Sequence, residues 1–213
     1  MKNKITIICG HYGCGKTNLC LNMAINSSKE GKDVVLVDLD IVNPYFRSCE
    51  YKELLQSNNI KLISPSMSDT TLDTPSLSPA VYSAFGDEGK TVFIDLGGDD
   101  AGATALAMFR EKIDDYQMIY VINKNRMQSS NGQGALELLR EIEKASHLNA
   151  TAVVNNTHLG VETTKEVLLN AVLYAEDFAK KVNLPLLFST APSFCEVSGF
   201  KTVERYVKFP WEM

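Results

Sequence analysis

The sequence predicts an α/β fold: a mostly parallel sheet of about seven strands with helices on both faces, in one domain spanning residues 1–213. Two observations carry that expectation. Short, β-branched, largely apolar runs alternate with longer amphipathic stretches, the pattern of strands buried on both faces and joined by right-handed helical crossovers. The composition, 45% hydrophobic and 22% charged, supplies a packed core and is not that of a disordered chain. At 213 residues the chain exceeds the usual ~150 per domain, a length that α/β domains often pass, and it contains no internal repeat and no obvious linker.

Taken in order, the expected strands are residues 5–9, 34–38, 60–63, 91–95, 118–122, 151–155 and 186–189. Each is an apolar run of strand length bounded by polar or turn-forming residues. Between them, helical spacing of apolar residues predicts helices over 16–30, 46–58, 79–86, 101–112, 132–146 and 163–182. The Ser/Thr/Pro-rich stretch 64–78 is the longest irregular segment and reads as a surface excursion. Near the C-terminus, Phe200, Val203, Tyr206 and Val207 share one helical face beside Lys201, Arg205 and Lys208. A terminal helix docked on the sheet is expected there, ahead of a membrane-surface helix, because Pro210 soon ends it.

The formal charge of −5 argues against broad nucleic-acid binding, which needs a basic surface. The five cysteines (Cys9, Cys14, Cys20, Cys49 and Cys195) are odd in number and form no C-x-x-C pair, so reduced thiols in a cytoplasmic protein are expected. Lys2 and Lys4 precede an apolar run of only five residues, which is not a signal peptide. No stretch approaches the ~20 apolar residues of a membrane span, so a membrane location is not expected.

The strongest local signal is G-x-x-x-x-G-K-T, from Gly10 to Thr17, placed directly after an apolar strand and at the start of a helix. That context makes it a phosphate-binding P-loop. Its glycines allow positive φ and close backbone approach, and the N–H groups at the helix start point at negative charge. Lys16 is expected to bridge the terminal phosphates and the Thr17 hydroxyl to ligate Mg²⁺, with Gly10, Tyr12, Gly13, Cys14, Gly15 and Asn18 in the nucleotide-binding set. Cys14 reads as a small loop filler ahead of a redox-sensitive thiol.

A second site follows the second strand. Asp38 and Asp40 alternate along an extended segment that continues Ile41-Val42-Asn43-Pro44, beyond the carboxyl end of a strand where α/β sheets bind ligands. Both are expected to point the same way, one toward a water or the metal shell and one anchoring the loop. A third site is Val92-Phe93-Ile94-Asp95-Leu96-Gly97-Gly98, an apolar strand closed by Asp, in which Asp95 is expected to hold Mg²⁺ and the glycines to let the loop move. Asp99 and Asp100 can cap the following helix, and Arg47 reads as a surface arginine ahead of a phosphate contact.

The fourth site, Val153-Val154-Asn155-Asn156-Thr157, offers an amide able to read an adenine edge, a turn-forming Asn pair being the alternative. Asn123-Lys124-Asn125-Arg126 looks like the N-K-x-D guanine reader, but Arg126 stands where the Asp is required, so ATP is expected over GTP. His11, His147 and His158 lack metal-ligand spacing.

These sites, in this order, resemble the MinD/ParA family of P-loop ATPases, also called CobQ/CobB/MinD/ParA-type nucleotide-binding proteins. The resemblance runs from Ile5 to about Pro192. It implies that Asp40 positions the attacking water, that Asp38 belongs to the same switch, that Asn155 contacts adenine, and that the Pro192 loop covers the base. It also implies an ATP-dependent homodimer, in which the first Lys of the family's deviant loop reaches the partner's nucleotide. Here that position is His11, whose neutral imidazole does not supply the permanent charge. The expectation is an Mg²⁺-dependent ATP-binding protein acting as a slow ATPase switch on an unidentified protein partner, with ATP and ADP as its nucleotides. The alternatives are a phosphoryl-transfer or ligase-type enzyme on a small-molecule substrate, similar to dethiobiotin synthetase, and a nonhydrolysing regulatory module.

Overall fold

The computed structural model describes residues 4–40, 48–64, 79–86, 89–98, 100–126 and 132–208. Eight strands form one sheet: β1 (Lys4–Gly10), β2 (Val34–Leu39), β3 (Lys61–Ile63), β4 (Thr91–Leu96), β5 (Tyr116–Ile122), β6 (Ala152–Asn155), β7 (Leu186–Pro192) and β8 (Lys201–Val203). Their order is β3-β2-β4-β1-β5-β6-β7-β8, and every pairing is parallel. The helices are α1 (Lys16–Lys29), α2 (Lys52–Ser57), α3 (Pro79–Gly86), α4 (Asp100–Ala107), α5 (Gln133–Ser146), α6 (Lys165–Leu169) and α7 (Val172–Val182).

Side-chain alternation along the strands splits the core between the two faces of the sheet. On β1, Ile5, Ile7 and Cys9 join one cluster, with Leu106 of α4, Leu139 and Ile142 of α5, and Phe178 of α7. Ile8 faces the other way and packs with Leu19, Leu21 and Ile25 of α1 and Leu55 of α2. The expected architecture, helices on both faces of a parallel sheet, is therefore the observed one. Because β1 lies between β4 and β5, the chain leaves it toward one sheet edge first and the other later. That reversal opens a crevice beyond the carboxyl end of β1, where α/β sheets place ligands.

Four elements differ from expectation. An eighth strand, β8, pairs with β7 where a terminal helix was expected. Residues 204–208 continue without helix, because side chains of α1 and not a helical ladder satisfy their backbone groups. Val203, Tyr206 and Val207 still pack on the α1 core cluster, so the apolar spacing marked a docked segment but not its conformation. The expected helix 163–182 is broken into α6 and α7 at Asn170-Ala171. The stretch 101–112 leaves the α-helix after Ala107 and closes with a 3₁₀ turn at Arg110–Lys112. Within 46–58, a 3₁₀ turn at Ser48–Tyr51 precedes the short α2. The expectations placed on Arg47, on residues 41–44 and 65–78, and on Asp99 lie outside the described residues. No helix among the described residues is long and apolar enough to cross a membrane, and Cys9, Cys14, Cys20 and Cys195 carry free thiols.

Candidate functional site

The loop between β1 and α1 is shaped by three glycines in left-handed backbone, Gly10 at φ 141°, Gly13 at 74° and Gly15 at 83°. At Gly10 a Cβ would run into the Val121 carbonyl on β5, and at Gly15 into the Asn156 amide. A side chain at either position would therefore have to displace backbone or a buried amide. Gly15 caps α1 with no side-chain hydrogen bond, and the first turn of α1 contains no acid. The free N–H groups and the helix dipole thus remain available to an anion. Lys16 is buried and its Nζ donates to the His11 carbonyl oxygen at 3.3 Å across the loop.

Behind the loop, Asp38 of β2 and Asp95 of β4 are register partners on adjacent strands. Both are buried, Asp95 fully. Ser48 Oγ donates to Asp95 Oδ2 at 2.8 Å, while Oδ1 is buried without a hydrogen-bond partner. Burial, and then the Asp38 charge, push the Asp95 carboxyl up to about 7, against opposing contributions from Lys16 and the Ser48 and Thr17 hydroxyls. Asp38 and Asp40 are both buried; Asp38 Oδ1 accepts the Asp40 backbone N–H at 3.0 Å, and of the two Asp40 lines the cavity. Gly98, after β4, packs against the loop so closely that a Cβ there would lie 2.7 Å from the Tyr12 nitrogen.

A cavity of about 240 Å³ runs from this loop toward the ends of β6 and β7. Tyr12, Gly13, Gly15, Lys16, Thr17, Asn18 and Asp40 line it, with Asn156 and His158 beside Gly15 and with Thr157, Pro192 and Phe194 from the exits of β6 and β7. Arg126, Arg205 and Lys208 join the wall, so among the described residues four cations (with Lys16) and one acid face the cavity, in a chain of net charge −5. Cys14 is fully buried in the loop, and burial pushes its thiol up, as a filler and not a reactive thiolate.

Two expected contacts are placed differently. Asn155 does not line the cavity: its Nδ2 donates to Ser189 Oγ and its Oδ1 accepts from the Thr157 N–H and hydroxyl. Its neighbour Asn156 faces inward, with Nδ2 donating to the Cys14 carbonyl oxygen at 2.7 Å and Oδ1 accepting from Thr190 Oγ1. Asn18 touches the cavity, but its amide is spent on the C-terminal segment, accepting from Tyr206 and Val207 N–H groups and donating to the Glu204 carbonyl oxygen.

Sequence reasoning missed Ser48, His158, Phe194, Arg205 and Lys208 as site residues, and it met Arg126 only as a missing Asp. None carries a motif; the fold alone gathers them. Arg126 Nε donates to the Gly13 carbonyl oxygen at 2.8 Å, clamping the loop from outside. Burial, with the Arg126 and Arg205 charges, pushes His158 down to about 4, so its ring is neutral at pH 7. His158 Nδ1 accepts from the Gly160 N–H, which leaves the hydrogen on Nε2, the atom nearest Gly15. Asn123 is buried and bonded to Asn125 and to the His158 carbonyl oxygen, outside the cavity lining.

No family model and no curated relative matches the sequence. Among solved structures, FtsY from Mycoplasma mycoides matches at 17% identity over 89% of this chain and 60% of that one, TM-score 0.60. The cell division protein FtsY from Thermotoga maritima matches at 21% over 90% and 62%, TM-score 0.62. The signal recognition particle receptor FtsY from Elizabethkingia anophelis, in complex with GDP, matches at 19% over 89% and 57%, TM-score 0.54. The chain thus spans about 60% of the length of these neighbours. At such identities the likeness shows the fold alone, an α/β fold with an all-parallel sheet.

Proposed function

We propose that this chain is an Mg²⁺-dependent ATP-binding protein of MinD/ParA-like type, a slow ATPase that works as a nucleotide switch. The observation that carries the reading is Asp95 Oδ1, a buried carboxylate oxygen with no donor, one strand from the buried Asp38 and beside Lys16 and Thr17. An acid held in that state needs a proton or a cation. Its geometry fits magnesium, which prefers one or two protein oxygens and completes its shell with water and phosphate; no larger His/Cys/Asp/Glu cluster occurs among the described residues.

Thr17 and Asp95 would hold the ion, with Asp38 adding charge from behind. Bound there, magnesium supplies neutralisation of charge on the phosphate oxygens. The chain's own groups do the rest. The loop N–H groups hold the phosphates, and Lys16 exchanges the His11 carbonyl oxygen for a phosphate oxygen. Asp40, the one acid lining the cavity among the described residues, orients the attacking water. That the Elizabethkingia FtsY structure holds GDP supports a nucleotide in this fold. Adenine is favoured over guanine because Arg126 stands where the N-K-x-D guanine reader has the Asp that accepts the guanine N–H groups.

Hydrolysis and assembly are the tests. Asp40→Ala is expected to leave Mg·ATP affinity within about threefold of wild type and to lower turnover about 100-fold. Equal turnover in the two proteins would remove Asp40 from the mechanism. Sizing with ADP and with a nonhydrolysable ATP analogue is expected to give a dimer only with the analogue. An unchanging monomer would contradict the switch.

A further inference from the structure

The C-terminal strap, residues 203–208, is fastened across the cavity by two asparagines of α1. Asn18 and Asn22 stand one helical turn apart, just beyond Lys16 and Thr17. Asn22 is buried and grips both backbone groups of one residue: its Oδ1 accepts the Glu204 N–H at 2.8 Å and its Nδ2 donates to the Glu204 carbonyl oxygen at 2.8 Å. Asn18 adds a donor to the same carbonyl at 3.0 Å and accepts from the N–H groups of Tyr206 at 2.9 Å and Val207 at 3.1 Å. On its other side, the strap is tied to the residue after Pro192. The Ser193 N–H donates to the Val203 carbonyl oxygen at 3.0 Å, and Ser193 Oγ donates to Glu204 Oε2 at 2.8 Å. The strap therefore joins α1 to the end of β7, and between these anchors Val203, Arg205, Val207 and Lys208 line the cavity.

This placement constrains any ligand whose phosphates sit at Lys16 and Thr17. The remainder would share the cavity with the strap and with Pro192 and Phe194, which line it too. We propose that the strap is the nucleoside-binding wall of the site and that Arg205 is its specificity-determining residue, donating to acceptor atoms of the ribose and base. The proposal rests on the nucleotide reading above. Its consequence is a division of labour along one helix: the first turn of α1 serves the phosphates, and the next turn, through Asn18 and Asn22, presents the strap to the nucleoside.

Calorimetry on the 213-residue chain with Mg²⁺, using ATP and inorganic tripolyphosphate as separate probes, tests it. Asn22 does not line the cavity; apart from a bond to the Asn18 carbonyl oxygen within α1, its amide holds the strap, which Asn22→Ala loosens. Asn22→Ala and the partly exposed Arg205→Ala are each expected to weaken ATP about tenfold and to leave tripolyphosphate unchanged. Unchanged ATP affinity in Arg205→Ala overturns the proposal. So does an equal loss for both probes in Arg205→Ala, which would make the arginine a general electrostatic contributor. Should Asn22→Ala fail to fold, Arg205→Ala with the two probes decides alone. Wild-type protein that binds neither probe would overturn the nucleotide reading and this proposal with it.

Discussion

At one end of the cavity the groups aimed at a ligand come from a single strand–loop–helix unit, residues 10–17, backed by two carboxylates on neighbouring strands. At the other end they come from the exits of β5, β6 and β7 and from a strap bonded to α1 across 182 to 189 residues of chain. The first end is made mainly of backbone, left-handed glycines and buried charge. The second is made of side chains on separately folded segments. Backbone geometry and buried charge tolerate little change, whereas each side chain of the second end can be altered with the others left in place. Substitutions should therefore cost most at the phosphate end and should tune selectivity at the nucleoside end.

The largest effect is expected at Asp95. Its folded carboxyl is raised from 3.8 to about 7. Between those values the folded chain holds a proton that the unfolded chain has released, so stability of the metal-free protein falls as pH rises through that window and levels off above about 7. His158, depressed to about 4, contributes with the opposite sign, its stability being lost as pH falls toward 4. Denaturant unfolding of wild type and Asp95→Asn from pH 4 to 8 isolates the first contribution by difference. The variant should gain relative to wild type as pH rises, and millimolar Mg²⁺ with nucleotide should close the gap.

Gly10→Ala comes next. With φ at 141° and a Cβ directed into the Val121 carbonyl, β1 and β5 would have to separate where the loop begins. A loss of about 3 kcal/mol in stability, with nucleotide affinity falling too, is expected from equilibrium unfolding and calorimetry. Asn156→Ala sharpens the comparison from the boundary between the ends. It strands the Cys14 carbonyl and leaves the Thr190 hydroxyl only its longer bond to the Asn155 carbonyl oxygen, at a cost of about 1–3 kcal/mol by the same unfolding measurement. Phe194→Ala should be smallest. The ring is 54% exposed, so stability should change by less than about 0.5 kcal/mol. ATP affinity should still fall a few-fold, with no change for tripolyphosphate.

What could be read from the sequence follows the same division. Gly10–Thr17 and Asp95 are local patterns, because a strand, a glycine turn and a helix start fix their geometry within a few residues. The strands themselves were legible because burial on both faces leaves an apolar run. Between Asn155 and Asn156 no local rule chooses: the ladder holds 155 in register with Ile122 and Ser189, and the next residue turns into the cavity as the strand ends. The strap was mistaken for a helix because its apolar spacing suits either, and the deciding hydrogen bonds come from Asn18 and Asn22 at the far end of the chain. Ser48 and His158 carry no motif, and only folding brings them to Asp95 and Gly15.

The central claim, that Gly10–Thr17 holds the phosphates of an Mg²⁺-bound nucleotide, is tested most directly by calorimetric titration of Mg·ATP into wild type and Lys16→Ala. Loss of at least about 100-fold in affinity is expected, since a buried ammonium can be replaced there by no other cation of the loop. Undiminished affinity in Lys16→Ala would contradict the account.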